Sequence, residues 1–276
     1  MHTLLLKNQL ISLAKPRIMG IVNLTPDSFY AGSRYQTQEI ILKQVEKMLQ
    51  EGATFIDIGA YSSRPQATHI TLQEEQERLL PAIEIIIKYF PEALLSVDTF
   101  RATIAEEALQ RGAACINDIS GGEADPEMFN TIARWQVPYI LMHMRGTPQT
   151  MTQFTDYEDI IKEVYRYFQE KITLLHSLKV KDIVIDLGFG FAKNVSQNFQ
   201  LLKNLPIFQP LNLPILVGVS RKSMVYKTLQ TTPDFALNGT TALHSWALMQ
   251  GANILRVHDV KEANEVIELW ERLQNS

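Results

Sequence analysis

The chain has 276 residues, of which 46% are apolar and 20% are charged, and its formal net charge is −4. This balance excludes a nucleic-acid binder that depends on a broad basic surface, and the length permits one domain with a large core. The single cysteine excludes an internal disulfide, and no apolar run approaches the roughly 20 residues that a membrane span needs. The first residues also lack the pattern of a signal peptide, so we predict a cytoplasmic protein that binds neither membranes nor nucleic acid.

Eight short and nearly continuous apolar runs occur along the chain, and most of them end in a polar residue. Runs of this kind predict strands that are buried on both faces of a parallel sheet. They are Ile18–Asn23, Phe55–Gly59, Leu94–Asp98, Cys115–Asp118, Tyr139–His143, Ile183–Asp186, Ile215–Ser220 and Ile254–His258. Segments with helical periodicity lie between or after them, namely Glu39–Gln50, Leu72–Tyr89, Arg101–Gln110, Pro126–Trp135, Tyr157–Leu178, Val195–Leu205, Lys222–Leu229, Leu237–Gln250 and Glu262–Leu273.

This alternation predicts a single α/β domain over residues 1–276, a (β/α)8 TIM barrel. In such a barrel the parallel strands close on themselves, and the chemistry lies at their C-terminal ends. We expect residues 1–15 to form a short N-terminal extension, a strand or a hairpin, that closes the bottom of the barrel. Functional residues are expected at the strand ends and in the loops that follow them.

The loops after the first and second predicted strands are long and unusual in composition. The first reads NLTPDSF at 23–29, where turn residues stand beside the apolar Leu24 and Phe29. The second contains Ser63, Arg64 and Pro65. Loops that combine Phe, Arg and Pro are suited to cover a small aromatic substrate.

Three acid or amide side chains end the third, fourth and sixth predicted strands. Because side chains alternate along a strand, Ser96 and Asp98 share the inward face of the third strand, while Asn117 ends the fourth strand and Asp186 ends the sixth. Polar groups in an apolar barrel are costly unless a ligand or one another satisfies them. The set suits a flat heterocycle rich in N–H donors, since carboxylates accept such donors and an amide both donates and accepts. A core hydrogen-bond network without a ligand is the alternative.

Two further loops carry candidate ligand-binding residues. The sequence GFGFAK at 188–193 is rich in glycine but lacks the spacing and the context of a dinucleotide-binding motif. The segment SRKS at 220–223 places two cations and two hydroxyls at the start of a helix, where anions are favoured. Simple capping by Ser220 would explain the serine but not both cations.

The last predicted strand places Arg256 and His258 on one face at the mouth of the barrel. This pair suits a phosphate group, for which arginine offers a fork of donors. The alternative is a structural salt bridge from Arg256 to Asp259 or to another neighbouring carboxylate.

Taken in order and with their spacing, these motifs resemble bacterial dihydropteroate synthases, and the resemblance runs from about Arg17 to Val260. The matching segments are NLTPDSF at 23–29, SVDTFR at 96–101, INDISGG at 116–122, GFGFAK at 188–193, GVSRK at 218–222 and RVHDV at 256–260. The resemblance implies a transferase of folate biosynthesis and a sulfonamide target. It would condense 4-aminobenzoate with the diphosphate ester of a hydroxymethyl-dihydropterin, release pyrophosphate, use Mg²⁺ as cofactor and form a homodimer through outer helices.

The resemblance also implies roles for individual positions of this chain. Residues that would bind the pterin are Asp98, Asn117, Met142, Asp186 and Lys222. Residues that would bind the pyrophosphate are Asn23, Arg256 and His258, and Asn23 would also bind Mg²⁺. Residues that would shape the aminobenzoate pocket and its loops are Phe29, Ser63, Arg64, Pro65, Phe191, Lys222 and Ser223. The residues expected to be catalytic are Asn23, Lys222, Arg256 and His258.

Some positions depart from the common pattern of the family. The second loop reads AYSS at 60–63 where Gly-Glu-Ser-Thr is more usual, Gln66 replaces a frequent Gly, Leu187 a common Pro and Ala192 a common Gly. Two other functions remain as alternatives. A methyltetrahydrofolate–corrinoid methyltransferase would share the pterin-binding residues but would not need Asn23 or the Arg256/His258 pair. A catalytically silent paralogue should have lost at least one of the four catalytic residues.

Overall fold

The computed structural model describes residues 2–24, 34–62 and 68–276 of the chain. An antiparallel hairpin of β1 (Thr3–Leu6) and β2 (Gln9–Ser12) precedes the barrel. In the described residues, eight parallel strands form a closed barrel in chain order, and the last strand pairs with the first. They are β3 (Arg17–Asn23), β4 (Phe55–Gly59), β5 (Leu94–Asp98), β6 (Cys115–Asp118), β7 (Tyr139–Met142), β8 (Ile183–Asp186), β9 (Ile215–Val217) and β10 (Ile254–Val257). The predicted (β/α)8 barrel is confirmed.

The helices follow the strands in alternation, and two of them follow β9. Their bounds are α1 (Arg34–Gln50), α2 (Leu72–Tyr89), α3 (Ala102–Gln110), α4 (Met128–Trp135), α5 (Ile160–Ser177), α6 (Val195–Lys203), α7 (Ser223–Thr228), α8 (Leu237–Met249) and α9 (Val260–Gln274). No helix in the three described ranges combines the length and the apolar character that crossing a membrane requires.

Local hydrogen bonds set the helix starts more sharply than periodicity does. At the start of α2, Thr71 Oγ1 accepts from Glu74 N at 3.1 Å and Thr71 N donates to Glu74 Oε2 at 2.8 Å, a reciprocal capping box. At the start of α5, Asp159 Oδ1 accepts from Lys162 N at 3.2 Å. The predicted start of that helix at Tyr157 was therefore too early, because the cap lies at Asp159.

The strand after α6 is shorter than predicted. We expected Ile215–Ser220, whereas β9 ends at Val217. Its ladder stops there because β8 pairs only as far as Leu216 and β10 pairs only as far as Val217. Residues 218–222 are thereby free to form the loop that carries part of the site.

Outward-facing side chains of the barrel pack against the helices and form the main core. Ile56, Val97 and Leu141 belong to the same buried cluster as Leu79 and Ile83 of α2. This cluster follows from the near-continuous apolar runs, since both faces of each strand are covered.

The inward faces change from apolar at the bottom of the barrel to polar at its mouth. At the bottom, Phe55, Leu94 and Cys115 form a buried cluster with Leu4 and Leu6 of the hairpin. We call this cluster the floor; its buried members are Leu4, Leu6, Leu13, Met19, Phe55, Leu94, Ala114, Cys115, Ile140, Val184, Leu216 and Ile254. Two residues further along several of these strands, the inward positions carry polar side chains, and these form the candidate site.

Candidate active site

The polar side chains at the mouth come from strands that lie on different sides of the barrel. Asp98 ends β5 and stands in register with Asn117 of β6, while Asp186 ends β8 and Arg256 lies in β10. Asn117 and Asp186 are buried, and the Arg256 side chain is 18% exposed. The closed barrel thus brings together four residues that are distant in sequence.

Asp57 of β4 is a member of this group that sequence reasoning missed. Its side chain is buried and accepts hydrogen bonds from Ser96 Oγ at 2.6 Å, from Asn117 Nδ2 at 3.1 Å and from Arg256 Nε at 2.7 Å. It therefore links three other strands of the barrel. The signal was an aspartate at an inward position of an otherwise apolar strand, two residues after Phe55 of the floor.

Arg256 forms ion pairs with two carboxylates, the buried Asp57 and the partly buried Asp98. Its Nη2 lies 2.5 Å from Asp57 Oδ2 and 3.0 Å from Asp98 Oδ2. Burial raises the pKa of Asp98, and the positive charge of Arg256 opposes that rise. Asp259 instead pairs with Arg221, so the structural salt bridge considered for Arg256 is formed with the carboxylates of Asp57 and Asp98 and not with Asp259.

The Asn117 carboxamide is satisfied on one side only. Its Nδ2 donates to Asp57, whereas its buried Oδ1 has no hydrogen-bond partner within the described part of the chain. An unsatisfied buried acceptor costs about 1–3 kcal/mol, which a ligand donor would recover. The core network considered as the alternative is therefore incomplete without a ligand.

Asp186 and Lys222 form the opposite side of the site. Asp186 Oδ1 accepts from Gly188 N at 2.8 Å, and burial raises the pKa of Asp186, opposed first by the charge of Lys222. Lys222 Nζ donates to the Phe189 carbonyl and lies 4.4 Å from the centre of the Phe191 ring. Burial lowers the pKa of Lys222 to about 8. Lys222 thus joins the polar group at the mouth to an aromatic side chain.

An apolar cluster lies beside these charges. It contains Met142, which was predicted to line the pterin pocket, and Phe191, which was predicted to contact the aminobenzoate. Its buried members are Ile119, Met142, Met144, Met151, Phe191 and Ala192, with Phe100 packed against them. A flat ring could therefore contact apolar side chains while its edge meets Asp98, Asn117 and Asp186.

His258 and Ser220 are linked at the mouth. The backbone N of His258 donates to Ser220 Oγ at 3.2 Å, and Ser220 Oγ lies 3.0 Å from His258 Nδ1. When the serine hydroxyl donates to Nδ1, the imidazole carries its proton on Nε2. Desolvation, followed by the charge of Arg256, lowers the pKa of His258, which favours the neutral form of the ring.

The turn between Ser220 and Lys222 is held in an unusual backbone conformation. Arg221 has a φ of 55°, in the left-handed region. Its Nε and Nη2 donate to the two oxygens of Asp259 at 2.9 and 2.7 Å, and its backbone N donates to Thr240 Oγ1 at 3.1 Å. These bonds fix the positions of Ser220 and Lys222 relative to each other, and Ser223 follows as the first residue of α7.

The glycine-rich loop at 188–193 surrounds a buried lysine. Lys193 Nζ donates to the carbonyls of His143, Gly188 and Phe191 at 3.2, 2.9 and 2.8 Å. Gly188 has a φ of 68°, and a Cβ there would lie 2.0 Å from the His143 oxygen. Lys193 therefore holds the loop that carries Phe191 and does not face a ligand.

The remaining predicted site residues lie outside the described residues or close to the end of a described range. Phe29, Ser63, Arg64 and Pro65 fall outside the described residues. Asn23 is the last residue of β3 and is exposed. Within residues 2–24, 34–62 and 68–276, no group of three or more His, Cys, Asp or Glu side chains is arranged to hold a metal ion.

Comparison with known proteins places the whole chain in one family. A model of the family described as "Pterin binding enzyme" matches residues 19–258. The dihydropteroate synthase of Escherichia coli strain K12 is 41% identical over 263 residues, which cover 95% of this chain and 93% of that protein. Among solved structures, a Yersinia pestis dihydropteroate synthase with a sulfonamide drug complex is 38% identical, covers 100% of both chains and has a TM-score of 0.93.

A second structural relative was solved with a ligand that the family resemblance implies. A Xanthomonas albilineans dihydropteroate synthase with 4-aminobenzoic acid is 35% identical, covers 99% of this chain and 98% of that one, and has a TM-score of 0.91. Family model, sequence relatives and fold agree over nearly the full length. The chain therefore belongs to the pterin-binding enzyme family, and within it to the dihydropteroate synthases, which are transferases of folate biosynthesis.

Proposed function

We propose that this chain condenses 4-aminobenzoate with (7,8-dihydropterin-6-yl)methyl diphosphate to give 7,8-dihydropteroate and pyrophosphate. The observation that carries the proposal is the buried polar group at the mouth. Asp98, Asn117 and Asp186 offer acceptors there beside two cations, Arg256 and Lys222. Such a set suits a pterin edge on one side and an anionic leaving group on the other.

The pterin would bind at the deeper part of this site. Asp186 and Asp98 would accept N–H donors of the ring, and the free oxygen of Asn117 would accept another. Lys222 would donate to a ring oxygen. Met142, which belongs to the apolar cluster at the mouth, would contact the ring itself.

The diphosphate would bind toward Arg256 and His258. Within the described part of the chain, the ion pairs of Arg256 use Nε and Nη2, which leaves Nη1 to bind an anion. The Nε2 proton of a neutral His258 is a second donor. Both donors are held before the substrate arrives, which is the arrangement that stabilises developing negative charge most effectively.

Asn23 would supply one oxygen to Mg²⁺. The described residues hold no all-protein metal cage. An exposed amide at the strand end fits an ion that binds mainly through substrate phosphates and water, as Mg²⁺ usually does. When bound, the ion would neutralise charge on the diphosphate.

The aminobenzoate would lie nearer the opening. Phe191 and Lys222, which contact each other, would line its ring. Ser223, at the start of α7, would also contact the aminobenzoate. From the family resemblance we further propose that this pocket includes Phe29, Ser63, Arg64 and Pro65. The Xanthomonas albilineans relative with bound 4-aminobenzoic acid supports this substrate.

The reaction needs positioning and charge stabilisation more than a protein nucleophile. The C–O bond to the diphosphate breaks, and the electron-rich pterin shares the positive charge that develops on the carbon. The neutral arylamine nitrogen then forms the new C–N bond and loses a proton to solvent. Arg256 and His258 stabilise the departing pyrophosphate, while the aminobenzoate pocket sets the approach of the amine.

The test is pyrophosphate release by the purified protein from the pterin diphosphate. We expect release that requires both Mg²⁺ and 4-aminobenzoate. Arg256→Lys keeps one charge near Asp57 and Asp98 but loses the fork of donors, so we expect kcat to fall by about tenfold or more while the protein stays folded. Pterin binding without any pyrophosphate release would favour a silent paralogue, and methyl transfer to a corrinoid protein would favour the methyltransferase.

We further propose a homodimer that forms through α8 and the turn before it. Phe235 is 77% exposed and Met249 is 62% exposed, and Trp246 lies one turn before Met249 on the same helix face. Large exposed apolar side chains along one element are typical of protein interfaces. Sedimentation equilibrium should give twice the 31.4 kDa mass of one chain.

We also propose a reducing, cytoplasmic location. Cys115 is the single cysteine of the sequence, and its thiol is buried in the floor. A chain with one cysteine forms no internal disulfide, so an oxidising compartment would not stabilise it.

A further inference from the structure

We propose that Asp57 determines the substrate specificity of the pterin site without touching the substrate, because it fixes the orientation of the Asn117 carboxamide. The inference rests on the proposed pterin site. It assigns to Asp57 a positioning role that the sequence motifs do not contain. Asp57 is 1% exposed and lies in the inward layer above the floor.

The first step concerns which end of the Asn117 amide faces Asp57. A carboxylate that is paired with a guanidinium has no proton to donate, and Asp57 Oδ2 is paired with Arg256. Only the Nδ2 end of Asn117 can therefore form a hydrogen bond with Asp57, and Nδ2 lies 3.1 Å from Asp57 Oδ2. Chemistry alone thus decides the orientation of the amide.

The second step concerns the other end of the same amide. Because Nδ2 is held by Asp57, Oδ1 is the end left over, and it is buried without a partner in the described residues. Turning the amide by 180° would place Oδ1 against a carboxylate, and the two acceptors would repel each other. Asn117 thus presents a fixed acceptor, although an asparagine in another setting can present either end.

The third step concerns what else holds Asp57 in place. Ser96 Oγ donates to its Oδ1 at 2.6 Å, and Arg256 Nε donates to its Oδ2 at 2.7 Å. With donors from β5, β6 and β10, the carboxylate has little freedom to rotate away from Asn117. The fixed acceptor therefore depends on one buried residue that lies beneath the ligand.

A site with this polarity selects a ring edge that carries an N–H donor and rejects one that carries a carbonyl. A pterin has an amino group at position 2, whereas a lumazine has a carbonyl there and an N1–H in place of the acceptor N1 of the pterin. In a lumazine complex, a ligand carbonyl would face acceptors. Sites whose buried polar groups are left unpaired by an analogue discriminate strongly against it.

The test compares the binding of 6-hydroxymethylpterin and 6-hydroxymethyllumazine by calorimetry. Asp57→Asn has the same shape but contains a donor, so Asn117 can turn over and present its Nδ2 to the ligand. We expect the wild-type protein to prefer the pterin and Asp57→Asn to reduce that preference by about tenfold, mainly through better lumazine binding. An unchanged ratio in a folded Asp57→Asn protein would overturn the inference.

Ser96→Ala is the matched control. It removes one donor to Asp57 but leaves the Asp57–Asn117 contact, so the pterin-to-lumazine ratio should stay at the wild-type value even if both affinities fall. A ratio that drops equally in both variants would show general loosening and would contradict the inference. Failure of the wild-type protein to bind the pterin would instead overturn the proposed function.

A second measurement does not depend on the folding of Asp57→Asn. In the ¹⁵N-labelled wild-type protein, the side-chain amide signal that is missing from Asn117→Ser should exchange its protons with solvent slowly, because Nδ2 donates to a buried carboxylate. Exchange as fast as that of an exposed asparagine would overturn the fixed orientation.

Discussion

Lys222 is a partly buried lysine whose charge is set by a balance between desolvation and nearby carboxylates. Burial lowers its pKa to about 8, and Asp186 is the main opposing influence. The unfolded chain would hold this proton up to a pH near the ordinary lysine value. Between these two pH values the unfolded state binds more protons, so this group makes the fold more stable as the pH rises. A loss of activity between these two pH values therefore cannot be explained by a loss of fold stability that Lys222 causes.

We expect kcat/KM to fall about tenfold per pH unit above pH 8, because the ammonium form of Lys222 is the one that can donate to the pterin and contact Phe191. In Lys222→Arg the cation persists at high pH, so the remaining activity should lose this alkaline decline. The measurement is a pH profile of initial rates for both proteins. The same decline in Lys222→Arg would assign it to another group.

Residue types at strand ends could be predicted from the sequence, but their partners could not. Asp98, Asn117 and Asp186 follow apolar runs, and a strand-end position in a barrel marks them as candidates. Asp57 lies inside a run, and only the closure of the barrel places it between Ser96, Asn117 and Arg256. The ion pairs of Arg256 span most of the chain, a distance over which local patterns carry no information.

At the scale of an element, the loop after β9 stores backbone strain at Arg221, which ion pairs of its side chain and a hydrogen bond of its backbone N maintain. A non-glycine residue in the left-handed region costs about 1–2 kcal/mol, and Arg221 has a φ of 55°. Asp259 binds both donors of its guanidinium, and Thr240 binds its backbone N. The strained turn sets the spacing between Ser220, which holds His258, and Lys222.

Asp259→Ala should therefore reduce kcat/KM by about tenfold or more, while the free energy of unfolding falls by only about 1 kcal/mol, since the ion pair is partly exposed. Initial rates and urea unfolding provide the two values. Glu106→Ala is the control, because it removes the partner of Arg134 on the outside of the barrel. Equal effects of the two variants on kcat/KM would contradict a role for the turn.

Periodicity predicted the elements themselves well and their ends less well. The apolar runs located each barrel strand, because burial on both faces demands them. The start of α5 depends instead on the cap at Asp159, and the end of β9 depends on where its neighbours stop pairing. Caps and ladder ends are set by single contacts, which an average over a window of residues does not detect.

At the scale of the whole molecule, the hairpin fills the bottom of the barrel. Leu4 and Leu6 are buried against Phe55 and Cys115 of the floor. The thiol of Cys115 is fully enclosed, and burial raises its pKa. Its reactivity is therefore a direct report on whether the floor is intact.

Leu6→Ala should lower the free energy of unfolding by about 2–5 kcal/mol, because Leu6 is 1% exposed and its truncation leaves a cavity in the floor. The same variant should speed the labelling of Cys115 by a thiol reagent. Leu10→Ala in the same hairpin is the control, since Leu10 is 72% exposed and the change should be within about 0.5 kcal/mol. Urea unfolding and thiol titration measure the two effects. If the floor does not stabilise the fold, Leu6→Ala and Leu10→Ala should have the same free energy of unfolding and the same rate of Cys115 labelling.

The packed floor also determines the order in which the two substrates bind. Leu4, Leu6 and Leu13 occupy the lower end of the barrel, so a substrate reaches the Asp57 layer from the mouth. A pterin that binds next to that layer must enter before an arylamine that covers it. Initial rates should then follow an ordered sequence in which 4-aminobenzoate adds second. Dihydropteroate leaves by the same opening and should compete with the pterin diphosphate for the free enzyme.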